Sequence, residues 1–352
     1  MATRVYPLSS GAFTAEPGMS RKVLRAAGKD PELTTVQFSQ PLDRRDYDAL
    51  EKYVFSSRPD VMLRAYGWYG LPPVDLGFLH RVPSATRISV DTMRYSGGGT
   101  LSSAQCGLGA LAGRDNLVAL TIGISTLGDF DFLDHVTPSI RELGLGATTS
   151  KKPDLSAITR FGALERLYIE RQHRGIEAIA RLRDLRHLTL RSISTPDIEF
   201  VSDLPHIESV RIGLGGIRNL DALRSLPLLR DLDLWRIRGL DDLNFLSDLR
   251  ALETLSLQAL PQVKALPSLR DCTHLRQIHL ELMKGLVDLD ALEHAPALTK
   301  FRFAAAASTT LETFAPLVRN PAIIEASVGF GSVRRNRQFD ELASAHGIAR
   351  RR

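Results

Sequence analysis

The chain has 352 residues, of which 43% are hydrophobic, 24% charged and 7% aromatic. Because no run of about 18 apolar residues occurs, we expect no membrane-spanning helix, while the apolar content is sufficient for a large core. The formal net charge of +5 is mildly basic for this length, and an Arg-rich tail, with Arg334, Arg335, Arg337 and Arg350 to Arg352, accounts for most of the excess. Arg greatly outnumbers Lys and Ala is abundant, a bias that favours a bacterial source.

Only two cysteines are present, Cys106 and Cys272, and they lie far apart in the sequence. Such isolated cysteines indicate neither a disulfide framework nor a zinc site. The first residues also lack the continuous apolar segment of a secretory signal. We therefore expect a protein of the cytoplasm that binds no metal.

Residues 1–32 are predicted to form an N-terminal segment. Two degenerate strand-like copies follow, one starting at Leu33 and one near Val61. Between them, Asp43 to Phe55 has helical periodicity and a plausible N-cap residue, which predicts a short helix. The N-terminal part is therefore expected to alternate strands and helical segments.

A six-residue frame, L-x-x-L-x-L, then recurs with a constant phase. Successive starts between the first and last clear copies are 21, 22, 22, 23, 23 and 23 residues apart. The alternation predicts half-buried strands whose leucines face a core. The clear copies start at Leu164, Leu185, Ile207, Leu229, Leu252, Leu275 and Leu298, and weaker ones start at Ala85, Leu117, Ile140 and Ile323.

Apolar residues also mark the segments between the strands. After the strand that starts at Leu229 they recur at every third position, as in Ile237, Leu240 and Leu243. An apolar pair such as Phe245-Leu246 precedes most strands by about seven to nine residues. This spacing favours short helical or 3₁₀ returns between successive strands.

The repeat resembles that of the leucine-rich-repeat superfamily, in particular short bacterial, internalin-like arrays. The resemblance implies an α/β solenoid, a horseshoe with a parallel β-sheet on its concave side and short helical or 3₁₀ returns on its convex side. It covers residues 33–330, in about 12 or 13 units with a loop insertion at 96–116. The family often has Asn or Cys at the ninth position of the unit, but this chain has Gln172, Ile193, Gly215, Ile237, Leu260 and Met283 there.

The last residues, 331–352, are predicted to form a capping helix and a basic tail. Asn336 to Ile348 is amphipathic, with Phe339 on its apolar side, and solenoid ends need such a cover. The glycine-rich stretch that starts at Gly97 invites comparison with a phosphate-binding loop, but no Gly-Lys-Ser/Thr follows it. We interpret that stretch as part of the inserted loop.

A search for catalytic chemistry finds no established motif. None of the nine histidines has metal-ligand spacing, and no Gly-x-Ser-x-Gly elbow occurs. Cys106 has no histidine singled out to activate it as a nucleophile. We therefore expect neither an enzyme nor a bound cofactor.

The outward positions of the strands form the predicted concave face, where the resemblance places binding to a partner protein. Tyr, Trp and Arg are the residue types that dominate interface hot spots. Ordinary solvated strand positions are the alternative interpretation for each residue singly. The candidate partner-binding residues are Arg166, Tyr168, Glu170, His187, Arg191, Arg211, Asp233, Trp235, Arg236, His279 and Arg302.

A second candidate patch comprises Arg64, Tyr66, Trp68 and Tyr69, which fit either a binding loop or an N-terminal cap. Nucleic-acid binding through the Arg-rich surface is the alternative function, but acidic residues interrupt the predicted face. The leading hypothesis is a non-catalytic scaffold for a partner protein. Association of the chain with itself remains open.

Overall fold

The computed structural model describes residues 11–67, 75–92 and 99–350. The chain divides into two compact units, Met1–Leu182 and Arg183–Arg352. Within each unit the strands are parallel, and each strand pairs with the next one along the chain. This arrangement follows from the repeat, since one unit cannot bury its leucines alone and stacking supplies the core.

In its described residues, the first unit has seven strands that run in chain order. Their alternation of buried and partly exposed residues matches the predicted half-buried pattern, as in Met62–Gly67. The strands are β1 (Ala12–Thr14), β2 (Thr35–Phe38), β3 (Met62–Gly67), β4 (Arg87–Thr92), β5 (Ala119–Ile124), β6 (Glu142–Leu145) and β7 (Arg166–Glu170).

Helical segments return the chain between these strands. The predicted helix after Asp43 is confirmed, because α2 (Arg44–Leu50) continues into a π-helical turn, Glu51–Phe55. An earlier helix, α1 (Arg21–Lys29), begins after the N-cap Ser20. The other returns are 3₁₀ helices, as the spacing of apolar residues predicted, at Leu76–Arg81, Leu108–Leu111, Asp131–His135, Ser156–Arg160 and Ile176–Arg181.

The second unit holds the more regular repeats. Each pair from β10 to β13 is offset by 23 residues, the period of the sequence frame. The strands are β8 (His187–Arg191), β9 (Ser209–Gly213), β10 (Asp231–Trp235), β11 (Thr254–Gln258), β12 (Gln277–Glu281), β13 (Lys300–Ala304), β14 (Glu325–Val328) and β15 (Ala349–Arg350).

Its returns are mostly 3₁₀ helices, and an α-helix precedes the last strand, β15. The final helix, α4 (Val333–Ala345), begins a little before the predicted start. Its Phe339 is fully buried and packs edge-on against Phe314 and Phe330. The returns are Glu199–Val201, Asp221–Ser225, Asn244–Asp248, Asp290–His294 and Glu312–Phe314, the last leading into α3 (Ala315–Arg319).

The repeats extend beyond residues 33–330 in both directions. At the N-terminal side β1 pairs with β2, so residues 12–32 contribute a strand and a helix of the same pattern. At the other side β15 pairs with β14. Of the predicted insertion, residues 99–116 form a return packed into the core, with Cys106, Leu108 and Leu111 fully buried.

A left-handed residue follows each strand from β7 to β13. Non-glycine residues avoid this conformation at a cost of roughly 1–2 kcal/mol. In the second unit, however, most of these residues donate their backbone N–H to the end of the next strand, as Ala259 does to Glu281 O at 2.8 Å. The seven residues are Arg171, Ser192, Leu214, Arg236, Ala259, Leu282 and Ala305, with φ between 50° and 66°.

These backbone bonds explain how the second unit dispenses with polar residues at the ninth position. That position holds buried apolar residues there, for example Ile237 and Met283. In the first unit it is polar instead, and the buried Gln172 donates to Thr148 Oγ1 at 2.5 Å. At this position the first unit thus has a polar side-chain pair, whereas the second unit has buried apolar residues beside the backbone bonds of its left-handed turns.

Side-chain donors that are buried or partly buried also recur three residues before the first apolar residue of a frame. At this position Arg114 donates to the carbonyls of Leu79 and Ala85, at 3.0 and 2.6 Å. Asn320 Nδ2 donates to Leu292 O and Ala295 O, at 2.6 and 2.9 Å. The thiol of Cys272 donates to Leu246 O, and Arg58 donates to Asp30 O and Leu33 O. Each side chain satisfies carbonyls at the end of the preceding return.

Candidate functional site

The candidate surface consists of the strand side chains that point away from the core, which we call the sheet face. Leucines at alternate positions, such as Leu232 and Leu234, are buried and leave the residues between them at the surface. The pleat therefore positions every candidate strand residue on this face. Each of the two units is described separately.

In the first unit, the three candidate residues of β7 engage in local polar contacts. The Tyr168 hydroxyl donates to Glu170 Oε2 at 2.8 Å. Arg166 lies 3.8 Å from Glu142, whose other carboxylate oxygen pairs with Arg87 at 2.5 Å. These contacts hold a tyrosine ring and a network of charges at the surface of β7.

In the second unit, the structure brings four candidate residues into one row across adjacent strands. Arg211 lies opposite Asp233, and His279 lies opposite Arg302. Ser256 occupies the strand between Asp233 and His279. Neighbouring members of this central row are therefore about 4.8 Å apart in their backbones.

The central row places a carboxylate in a partly desolvated position. Burial raises the pKa of Asp233 above its ordinary value, and the charges of Arg211 and His279 and a hydrogen bond from Ser256 oppose that rise only in part. A partly desolvated carboxylate costs stability, and such residues often belong to binding surfaces.

Trp235 lies beside this row, at the end of β10. Its register partner on β9 is Gly213. A Cβ atom at position 213 would be 2.1 Å from both Cδ2 and Cε2 of the indole, so the ring lies flat on the glycine backbone. Because Gly213 has no side chain, one face of the indole packs against the sheet, and part of the Trp235 side chain is still exposed.

The other candidates of the second unit flank these residues. His187 and Arg191 lie on β8, partly exposed. Arg236 is not on a strand, because it is the left-handed residue after β10 and its side chain is exposed. It therefore belongs to the turn at the carboxyl end of the strand.

Half of the second candidate patch falls within the described residues. Arg64 on β3 pairs with Asp91 at 2.6 Å and stacks over the ring of Tyr66 at 5.1 Å. Trp68 and Tyr69 lie outside the described residues. Arg64 and Tyr66 thus form one local cluster with an acidic neighbour.

The two thiols are placed where they react poorly. Both are buried, and burial raises the pKa of Cys106 and of Cys272 to about 11. A thiol with that pKa is almost wholly protonated at neutral pH, and the thiolate is the reactive form. Within residues 11–67, 75–92 and 99–350, no cluster of three or more His, Cys, Asp or Glu side chains could hold a metal ion.

The sequence analysis did not identify Gly213, which lies beneath Trp235, as part of the site. It also did not identify Arg218 and Arg238, which follow β9 and β10. The signal was present in the sequence Gly213-Leu-Gly-Gly216, which places three glycines next to a strand end. In the aligned repeats Gly213 also occupies the same position as Trp235. A glycine at the register position next to Trp235 was the feature of the sequence that could have indicated this contact.

Parallel strands in chain order, 3₁₀ returns and inward leucines define a leucine-rich-repeat solenoid, and the predicted fold class is confirmed. The fold is similar to that of an internalin (inlF) from Listeria monocytogenes str. 4b F2365, with 17% identity and a TM-score of 0.58, over 90% of this chain and 86% of that chain. An internalin C2 (inlC2) from the same strain also matches, at 17% identity and a TM-score of 0.40, over 63% of this chain and 83% of that chain.

No protein-family model matches the sequence, and no curated protein matches it either. The likeness to the internalin is one of fold, since its identity is low. In the part of the chain that the structure describes, no helix has the length and apolar character needed to cross a bilayer.

Proposed function

We propose that this chain is a non-catalytic scaffold that binds a partner protein through its sheet face. The observation that carries the proposal is the indole of Trp235, held flat on Gly213 beside the central row of charged residues. A part-exposed aromatic residue among arginines is the composition of an interface hot spot. Solenoids also offer extended surfaces for binding, which fits this fold.

Several features favour a protein over a nucleic acid as the partner. Acidic residues interrupt the sheet face of the second unit, including Asp231, Asp233 and Glu281. A nucleic-acid surface would need a continuous basic stripe. The tyrosine of β7 in the first unit, with its adjacent ion pairs, adds a second candidate contact of the same mixed character.

The test is affinity capture from the lysate of the native host, with the captured protein identified and then purified. The titration compares wild type with Trp235→Ala and with Tyr168→Ala. Tyr53→Ala is the matched control, because Tyr53 is an aromatic residue of the Glu51–Phe55 turn, away from the strands. Truncation of a central hot-spot residue is expected to cost about 2 kcal/mol, roughly a 30-fold rise in Kd.

Equal affinity for wild type, Trp235→Ala and Tyr168→Ala would refute the assignment of binding to the sheet face. Circular dichroism spectra of all variants establish that they are folded. A cytoplasmic location is a further part of the proposal, supported by the two unpaired thiols. Fractionation of native cells, with recovery of the protein outside the cytosol, would contradict it.

A further inference from the structure

Two arginines in the turns after β9 and β10 are held against the backbone of neighbouring repeats. A Cβ atom at Gly239 would lie 2.7 Å from Nε of Arg218, so the Arg218 side chain crosses onto the following repeat. In the opposite direction, a Cβ atom at Gly216 would lie 3.9 Å from Nη2 of Arg238. The two side chains therefore cross the same boundary between repeats. Arg218 lies beside a glycine of the repeat that contains Arg238, and Arg238 lies beside a glycine of the repeat that contains Arg218.

Neither arginine forms an ion pair with a carboxylate in the described part of the chain, and both are exposed. Arg224 of the same unit, by contrast, pairs with both Asp221 and Asp248, and Arg186 pairs with Glu208 at 2.5 Å. Two cations confined to one boundary repel each other, and an anion placed between them would remove that repulsion. Guanidinium groups also match the geometry of a carboxylate.

The arginines adjoin the Trp235 hot spot through one short segment. Trp235 covers Gly213 at one end of the segment 213–216, and Arg238 reaches Gly216 at its other end. Within the segment, only Leu214 has a side chain, and it is partly exposed in the left-handed conformation. An apolar surface and a pair of cations therefore lie side by side along four residues.

We propose that this surface, formed by Trp235, Leu214, Arg218 and Arg238, binds a short acidic segment of the partner protein that carries an apolar side chain. The inference rests on the proposed function and specifies the chemistry of the partner. The apolar side chain lies against the indole, and one or two carboxylates lie between the guanidinium groups. Charge complementarity selects the occupant, since neither guanidinium group pairs with a carboxylate among the residues that the structure describes.

Nearby acidic residues limit how long an anionic ligand can be. Asp231 is exposed at the start of β10, and Asp241 and Asp242 are exposed after the arginines. A nucleic-acid strand would extend past the patch and meet these carboxylates on either side. A segment with only one or two negative charges at the centre avoids that repulsion.

The experiment is selection of a library of random short peptides, displayed on phage, against the immobilised full chain. Wild type is compared with Arg218→Gln/Arg238→Gln and with a matched control, Arg250→Gln/Arg270→Gln, which removes the same charge from two exposed arginines of the same unit. We expect wild type and the control to enrich peptides with paired acidic residues beside an apolar one. The Arg218/Arg238 variant is expected to lose this enrichment.

The most enriched peptide is then titrated by fluorescence anisotropy. Binding at least tenfold weaker to the Arg218/Arg238 variant, and within about twofold of wild type for the control, supports the proposal. The proposal would be overturned by enrichment of neutral or basic peptides, or by equal binding of the peptide to both double variants. It would also be overturned if a single-stranded oligonucleotide displaced the bound peptide at a lower concentration than the free peptide does. Each of these failures leaves the capture experiment with Trp235→Ala to decide separately whether the sheet face binds a protein.

Discussion

The indole of Trp235 lies directly on the backbone of Gly213, with no room for a side chain between them. Replacing Gly213 with alanine would place a methyl group 2.1 Å from the ring atoms and force the indole off the sheet. The ring is partly exposed and can move, so we expect a loss of stability of about 1 kcal/mol, at the low end for overpacking.

The readout for Gly213→Ala is tryptophan fluorescence in a Trp68→Phe background, because the chain has only two tryptophans. Emission is expected to shift to longer wavelength as the ring becomes hydrated. Gly162→Ala is the control, since a Cβ atom there meets nothing within 4 Å. An unchanged spectrum for Gly213→Ala would show that the indole does not lie on the glycine in solution.

The adjacent alanines 304 and 305 permit a matched test of the left-handed turns. Ala305 has a φ of 55°, whereas Ala304 is the last residue of β13. Ala305→Val should lower the free energy of unfolding by about 1–2 kcal/mol, because a β-branched residue is poorly accommodated at positive φ. Ala304→Val should change it by less than about 0.5 kcal/mol. Urea denaturation measures both, and equal effects would be inconsistent with the turn geometry.

Asn320 provides a test of the buried donors that precede the strands. Its amide donates to the carbonyls of Leu292 and Ala295 at 2.6 and 2.9 Å, and Asn320→Leu leaves each with only a long backbone N–H contact, of 3.5 and 3.4 Å. We expect a loss of about 2–4 kcal/mol, since a buried polar group that loses its good hydrogen bond costs about 1–3 kcal/mol. Asn116→Leu is the control, because its amide reaches only the carbonyl of Pro83 at an exposed position. A loss for Asn320→Leu no larger than that for Asn116→Leu would contradict the role.

Asp233 makes the stability of the second unit depend on pH. Burial raises the pKa of this carboxyl, so the folded state binds the proton more tightly than the unfolded state. Its ionisation therefore lowers stability as pH rises through the folded pKa. Asp233→Asn is expected to melt at or above the wild-type temperature at pH 7.

The advantage of Asp233→Asn should disappear at acidic pH, where the wild-type carboxyl is also neutral. The exposed Asp231→Asn, two residues earlier on β10, provides the control. Melting temperatures from pH 3 to pH 8 distinguish the two variants. A lower melting temperature for Asp233→Asn at pH 7 would mean that its contacts with Arg211 and Ser256 outweigh the burial of its charge.

The thiols should be inert in the native protein. Because burial raises the pKa of Cys106 and Cys272 to about 11, roughly one thiol in a thousand is ionised at pH 8. A chromogenic disulfide reagent is expected to label neither cysteine in buffer and both in concentrated guanidinium chloride. Rapid labelling of either residue in buffer would place it nearer the surface.

The sequence predicted the strands and their phase well, because a period of 21 to 23 residues leaves few ways to stack the leucines. The frames at Leu229, Leu252 and Leu275 correspond to β10, β11 and β12. The row of Arg211, Asp233 and His279 followed from that phase alone. Whether those residues bind a partner stays a prediction.

Features set by single residues could not be predicted in the same way. A positive φ is unfavourable for non-glycine residues such as Leu214 and Arg236. Each adopts it because its backbone N–H donates to the terminal carbonyl of the next strand, which needs a donor. The burial of Arg114 likewise depends on carbonyls about 30 residues away in sequence. The positive φ values and the burial of Arg114 both depend on contacts between neighbouring repeats. The residue pattern within a single repeat does not specify those contacts.

The central strands of the second unit are offset by the same number of residues, so a whole repeat could be removed or added there. Residues 252–274 form one whole period, and β10, β11 and β12 pair with partners 23 residues apart. Their removal would bring Leu275 to the place of Leu252, with apolar residues at the same inward positions and the same left-handed turn. The length of the sheet face could thus be shortened or extended by whole repeats without changing the pairing rule, which makes the chain a template for building surfaces of chosen span.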